Sequence, residues 1–235
     1  MKTSPLFDGG RGRVGTWLKV PSLVTLEVVS QSEFDFIVID LEHSPISLEW
    51  VHTACAVAQA CGTAVLVRLP DASGHGIQRV LDLGVDGVVI PQIRTAGETQ
   101  AVIASAMFPP HGRRGVGITS RAGRWGARPR EDYMAHGDRE VLRCVQIETV
   151  ECFDNLDQVL DTVGVNAVLL GSADLAVTLG VQAGDPVMKD LSARLVQSGT
   201  ARSIPCGTAV ANPQDAREAL DAGFRFVIIG NDGRP

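Results

Sequence analysis

The sequence predicts an α/β protein of the (β/α)8 TIM-barrel class. Three observations point there: eight short apolar runs, amphipathic stretches between most of them, and no linker or low-complexity tract across 235 residues. Four runs share one shape: FDFIVID (34–40), VDGVVIP (85–91), VNAVLLG (165–171) and FRFVIIG (224–230). Near-continuous Val- and Ile-rich runs of this length read as strands buried on both faces, which occur in parallel sheets covered by helices. An open doubly wound sheet is the second choice, since it also alternates strand and helix. A barrel of this length closes as one unit, so residues 1–235 read as a single domain.

Taken in order, VGTWLKV (14–20) is the first strand and SLVTLEVVSQSE (22–33) the first helix. The strand at 34–40 is followed by SLEWVHTACAVAQA (47–60), with Ser47 as its N-cap. TAVLVRL (63–69) leads to GIQRVLDLG, and 85–91 leads to AGETQAVIASAM. VLRCVQIE (141–148) precedes the helical pattern VECFDNLDQVLDTVG, and 165–171 precedes PVMKDLSARLVQSG. SIPCGTAV (203–210) is followed by NPQDAREALDAG and the strand at 224–230. Glycine closes helices at Leu83-Gly84, Val163-Gly164 and Ala222-Gly223, a common C-terminal cap. Only Asn231-Asp232-Gly233-Arg234-Pro235 follow the eighth strand, so the final barrel helix is expected to be missing, through truncation or because a partner covers that flank.

Composition narrows the function. At 45% hydrophobic the chain is neither disordered nor collagenous, and a charge of −6 disfavours nucleic acid as a partner. MKTSPLFDGGRGR has no apolar signal core, and no run approaches the ~20 apolar residues of a membrane span. Cys55, Cys61, Cys144, Cys152 and Cys206 are odd in number and lack C-x-x-C spacing, which reads as reduced thiols in a cytoplasmic protein.

In such a barrel, reactive groups lie beyond the carboxyl ends of the strands. There the sequence places Asp40-Leu41-Glu42-His43, Arg68, Gln92, Gln146-Ile147-Glu148 and Gly171-Ser172-Ala173-Asp174. Carboxylates exceed cations, and a hard divalent ion would neutralise the excess. Glu148 and Asp174 close adjacent strands and are the metal candidates; two carboxylates with waters and a chelating substrate suit Mg2+ or Mn2+, with Co2+ third. The alternative is that Glu148 caps a helix and Asp174 starts one; the pairing at matching strand ends favours the metal. Asp40 and Glu42 support that site or the fold. Arg68 either holds an oxyanion or carboxylate or forms a salt bridge to Asp40 or Glu42. His43 is a general-base candidate or a structural histidine; His52, His75, His111 and His136 read as structural or solvated.

GRRGVGITSRAGRWGARPR (112–130) is a long arginine-rich loop, read as a lid over an anionic substrate, a solvated loop or a subunit contact. No P-loop or G-x-S-x-G elbow occurs, and Gly74-His75-Gly76 lacks the third glycine of a dinucleotide fingerprint. Lys19, near the first strand end, is followed by Pro21, which suggests a turn and disfavours a lysine-dependent aldolase.

FDFIVIDLEHSP, VLVRLP, FPPHGRRGVG, VQIET and GSADLAVTLG, in this order and spacing, resemble the HpcH/HpaI family of metal-dependent pyruvate aldolases from about Gly15 to Asp232. The resemblance implies a (β/α)8 barrel that reversibly cleaves a 4-hydroxy-2-oxo acid to pyruvate and an aldehyde through a metal-stabilised pyruvate enolate. It implies Glu148 and Asp174 as metal ligands, Arg68 as the enolate stabiliser and Gln146 beside the metal. Backbone N–H groups near Gly171, Ser172 and Ala173 would receive the pyruvate carboxylate. His43, oriented by Asp82 across a subunit contact or within the chain, would move the 4-hydroxyl proton; read on its own, Asp82 is a surface helix residue. A homo-oligomer is implied, a hexamer in the family, although the exchanged C-terminal helix is missing here. Family members commonly carry Pro where Ser172 stands, and Ala209 to Asn212 would shape the aldehyde pocket. The alternatives are a citrate-lyase or malyl-CoA-type lyase, with the arginine loop serving coenzyme A phosphates, and an inactive truncated paralogue.

Overall fold

The computed structural model describes residues 5–7, 10–74 and 76–233; His75 and Arg234-Pro235 lie outside the described residues. Eight parallel strands close a barrel in sequence order: β1 (Arg13–Leu18), β2 (Phe36–Asp40), β3 (Ala64–Arg68), β4 (Gly87–Ile90), β5 (Leu142–Ile147), β6 (Ala167–Leu170), β7 (Cys206–Val210) and β8 (Phe226–Asn231). Pairing of β1 with β8 completes the ring, with Arg13 opposite Phe226, which removes the open-sheet alternative.

Period-two alternation sorts each strand into two columns. Ile37, Ile39, Val65, Val67, Val145 and Ile147 join the layer beneath the helices, while Phe36, Val38, Leu66, Val89, Leu142, Cys144, Leu169 and Phe226 fill the barrel interior. Interior glycines make room for interior rings: a Cβ on Gly15 would lie 2.3 Å from the Phe36 ring, and one on Gly207 2.1 Å from Phe226. Phe7 closes the amino-terminal end of the barrel, stacked on Phe226 with centroids 4.3 Å apart. The same columns, continued toward the carboxyl ends, turn polar at Lys19, Asp40, Arg68, Gln146 and Glu148. Alternation within the interior therefore places these side chains together.

The helices are α1 (Leu23–Ser30), α2 (Leu48–Ala60), α3 (Ile77–Asp82), α4 (Ala96–Ala106), α5 (Arg130–Arg139), α6 (Val150–Asp154), α7 (Leu156–Leu160), α8 (Ser172–Leu179), α9 (Pro186–Ala201) and α10 (Pro213–Asp221). Ser47 caps α2 by accepting the Trp50 N–H, as its position predicts. Thr95 and Glu98 form a reciprocal capping box on α4. The stretch 150–164 is two short helices that break at Asn155, not one. Among the described residues no helix follows β8, and Leu23, Val24 and Val28 of α1 are exposed. No helix among them is long and apolar enough to cross a membrane.

Candidate active site

Asp40 and Arg68 are register partners at the ends of β2 and β3. Arg68 donates two hydrogen bonds to the Asp40 carboxylate, from Nε at 2.9 Å and Nη2 at 2.8 Å. Its Nη1 lies 3.2 Å from Glu42 Oε2, and its guanidinium sits 4.4 Å from the centre of the Trp17 ring. Lys19 Nζ approaches Asp40 Oδ2 at 2.7 Å. Burial alone would raise the Asp40 pKa; hydrogen bonds from Arg68 and Lys19, the Arg68 charge and the His43 N–H outweigh it and hold the carboxyl well below the usual carboxylate range. Asp40 also turns the chain, accepting N–H bonds from Glu42 and His43. The Arg68 salt bridge expected with Asp40 or Glu42 thus involves both.

Glu148, one residue past β5, is buried. It accepts the Gln92 N–H at 2.5 Å and a hydrogen bond from the Gln146 amide. Gln92 holds a left-handed φ of 59°, and its side chain donates to Glu42 at 2.9 Å. One glutamine therefore ties two acidic residues together, a role that nothing in its sequence context signals. Burial raises the Glu148 pKa; the Gln92 and Gln146 hydrogen bonds oppose this, and the charges of Glu42 and Asp174 raise it further. Thr149, not Glu148, caps α6, so the capping alternative for Glu148 falls away. Asp174 occupies the first turn of α8, exposed, as its own alternative anticipates.

Gly171 is the N-cap of α8 and offers no side-chain bond, which leaves the first N–H groups of that helix without a cap. A Cβ on Gly171 would lie 2.5 Å from Glu148 Cβ and 2.9 Å from its Oε2, so only glycine lets β6 approach the glutamate this closely. Trp17, Lys19, His43, Arg68, Gln146 and the run Gly171, Ser172, Ala173 and Asp174 line one cleft of about 850 Å³, with Ala209, Val210 and Ala211 on its wall. Glu148 touches two of these lining residues, Gln146 and Gly171. His43 is half exposed, its Nε2 3.8 Å from Glu42 Oε2.

Within one chain Asp82 and the arginine loop both sit apart from the cleft, which leaves the subunit-contact alternative given for each. Asp82 ends α3, and that helix end leads to the amino-terminal end of β4, so Asp82 lies away from the cleft and from His43. It accepts a hydrogen bond from Arg114 Nη2 at 2.9 Å and one from the Tyr133 hydroxyl at 3.3 Å. The arginine loop lies at that same end: Arg121 donates to Leu83 O and to Gln59 Oε1, and Arg113 to Ala101 O. It is not a lid over the cleft of its own chain, and its last residue begins α5. Lys19 lies just past the end of β1, continues the interior column after Trp17 and pairs with Asp40.

A closed parallel barrel with an acidic cleft at the carboxyl ends of its strands is an enzyme architecture. The sequence model of the HpcH/HpaI aldolase/citrate lyase family matches residues 13–235. The chain belongs to that family, an aldolase and lyase family of enzymes. It is 31% identical over 226 residues to 2-keto-3-deoxy-L-rhamnonate aldolase of Escherichia coli, covering 95% of this chain and 84% of that one. Among solved structures it resembles an HpcH/HpaI aldolase/citrate lyase family protein of Burkholderia cenocepacia J2315, with TM-score 0.88, 27% identity and coverage of 96% and 90%. It shares its fold with an HpcH/HpaI aldolase of Desulfitobacterium hafniense DCB-2, with TM-score 0.91, 24% identity and coverage of 99% and 92%.

Proposed function

We propose that the protein is a divalent-metal-dependent aldolase that reversibly cleaves a 4-hydroxy-2-oxo acid to pyruvate and an aldehyde. The observation that carries this reading is the convergence of Glu148, Gln146 and Asp174 beside Arg68. The charges of Glu42 and Asp174 both act on the buried Glu148 carboxyl. Among the described residues Gln146 Oε1 is buried without a hydrogen-bond partner, an acceptor that awaits a cation or donor. Among the described residues no three His, Cys, Asp or Glu side chains group tightly enough to hold an ion alone. Two carboxylates completed by water and substrate oxygens suit Mg2+ or Mn2+, so the residues fit the ion. Held by Glu148 and Asp174, such an ion supplies positive charge to the keto oxygen of the substrate.

Arg68 places a second positive charge where the enolate oxygen develops, and Asp40, Glu42 and the Trp17 ring fix its orientation. The uncapped N–H groups at the start of α8 receive the substrate carboxylate. His43, exposed at the cleft mouth, takes the 4-hydroxyl proton as the carbon–carbon bond breaks. Asp82 can orient His43 only from another copy of the chain, so this reading makes the protein a homo-oligomer. The substrate class agrees with the relative named for 2-keto-3-deoxy-L-rhamnonate. Within one chain the arginine loop lies at the opposite end of the barrel from the cleft, so a coenzyme A thioester lyase would need that loop from the same neighbouring copy that supplies Asp82.

The test couples pyruvate release from a 4-hydroxy-2-oxo acid to lactate dehydrogenase. Turnover should require Mg2+ or Mn2+, vanish with EDTA, and fall to background in Glu148→Gln and Asp174→Asn. Turnover that survives metal removal would sink the proposal. Cleavage of acyl-CoA substrates alone would restore the thioester reading, and a folded, inert chain would favour the inactive paralogue.

A further inference from the structure

A second concavity, of about 560 Å³, opens at the amino-terminal end of the barrel, among the ends of α2 and α3, the arginine loop and α5. Its volume lies in the range of small-molecule sites. Four guanidiniums line it, from Arg114, Arg121, Arg124 and Arg128. Of these, among the described residues, only Arg114 has a carboxylate partner, Asp82. Arg121 is held by neutral acceptors, the carbonyls of Leu83 and Gly84 and the amide oxygen of Gln59. Among the described residues the side chains of Arg124 and Arg128 make no hydrogen bond or ion pair. The lining carboxylate, Asp86, accepts at Oδ2 from Gln59 Nε2 and the Val65 N–H, both at 2.8 Å, and sets one negative charge against the four guanidiniums. His136, also on the lining, pairs with Glu140.

Like charges gathered in a concave surface repel one another, and here they gather on a chain whose net charge is −6. A second observation is independent of that count. Arg114 is only 3% exposed, yet among the described residues its Nε–H has no acceptor. A buried guanidinium donor left open costs free energy unless a ligand or water takes it. Arg124 and Trp125 both adopt left-handed backbone, with φ of 52° and 56°, which places a tryptophan 69% exposed on the wall of the cavity. Planar guanidiniums that lack carboxylate partners match phosphate oxygens in geometry and charge, and an exposed indole offers a face for stacking. From these observations we infer that the cavity binds a phosphate-bearing small molecule, held by Arg121, Arg124 and Arg128 beside Trp125. The site lies at the opposite end of the barrel from the cleft of its own chain; Asp82, which pairs with its Arg114, is the residue the aldolase reading gives to a neighbouring copy, so binding and turnover are scored separately.

Titration of the full-length protein in EDTA with pyrophosphate and with ADP tests it, by calorimetry and by tryptophan fluorescence. Saturable binding is expected, weakened at least about tenfold in the double variant Arg124→Gln/Arg128→Gln and unchanged in Arg68→Ala. Arg124 is exposed and Arg128 half-buried, and neither side chain makes a hydrogen bond or ion pair among the described residues, so the fold should hold. Tighter binding of ADP than of pyrophosphate, lost in Trp125→Phe, would add a stacked ring to the site; equal binding would leave phosphate as the sole determinant. No saturation by about 10 mM, or equal affinity in the double variant, overturns the inference. It falls equally if neither anion binds and the double variant changes the oligomeric state, since the cavity is then a contact between copies.

Discussion

Two buried arginines, one on each of two strands, solve opposite problems. Arg68, 6% exposed at the end of β3, is surrounded by carboxylates: Asp40 takes two of its N–H groups and Glu42 stands beside a third nitrogen. Arg143, fully buried near the start of β5, bonds carbonyls instead: Gly164 O, Gly137 O, Val141 O and Asp138 O. Carbonyls satisfy hydrogen bonds but carry no net charge. Burial accordingly lowers the Arg143 pKa to about 10, with the Asp138 charge opposing and that of Arg114 assisting. Arg143 faces the helices and stitches α5 and the α7–β6 turn to the barrel. Arg68 faces the cleft in a setting where negative charge is already in excess. Hydrogen-bonding capacity is used up at Arg143, whereas at Arg68 an electrostatic field is prepared for a ligand.

That contrast predicts separable failures. Arg68→Ala should lower kcat/KM about 10²–10³-fold, the usual loss when one donor to a developing oxyanion is removed. Arg143→Met should leave kcat of the folded fraction unchanged but destabilise the protein by about 3 kcal/mol or more, because several buried carbonyls lose their donor together. Coupled pyruvate assays and urea titrations of both variants decide this. A kcat loss in Arg143→Met without destabilisation, or an active Arg68→Ala, would break the distinction.

The same two residues show what a sequence can say. Arg68 ends an apolar strand and is conspicuous. Arg143 interrupts VLRCVQIE with no sign that its partners are carbonyls of residues 137–141 and 164. The eight strands are legible because burial on both faces writes near-continuous Val and Ile. Helix α5, REDYMAHGDR, is not: it buries only Tyr133 and Gly137, so no apolar stripe marks it. Positions at strand ends can be counted from alternation, which is why Asp40, Gln146 and Glu148 stand out. Pairings between distant segments cannot be counted that way. Asp82 meets Tyr133 from 51 residues away, and the end of the barrel a charged loop covers is not encoded in its charge. Gln92 carries no local mark of its left-handed turn.

The smallest effect concerns the second cation of the cleft. Lys19 assists Arg68 in holding Asp40 ionised, and nothing plays that part for Arg143. A carboxyl depressed in the folded state contributes stability fully above its unfolded pKa. That contribution is lost as pH falls toward the folded value, because the unfolded chain binds the proton first. The Asp40 contribution should therefore be intact at neutral pH and fade below its ordinary value of 3.8. Lys19→Met brings the folded pKa back toward that value without removing the Arg68 fork. Since the Lys19 side chain is 29% exposed, the neutral-pH loss should be about 1 kcal/mol or less. It should persist in acid as far as pH 3, because the folded Asp40 carboxyl stays ionised well below its ordinary value. Urea midpoints from pH 7 to 3, each at low and at high salt, measure it. A gap that salt does not narrow would mean that Lys19 acts through packing, leaving Arg68 as the sole electrostatic partner of Asp40.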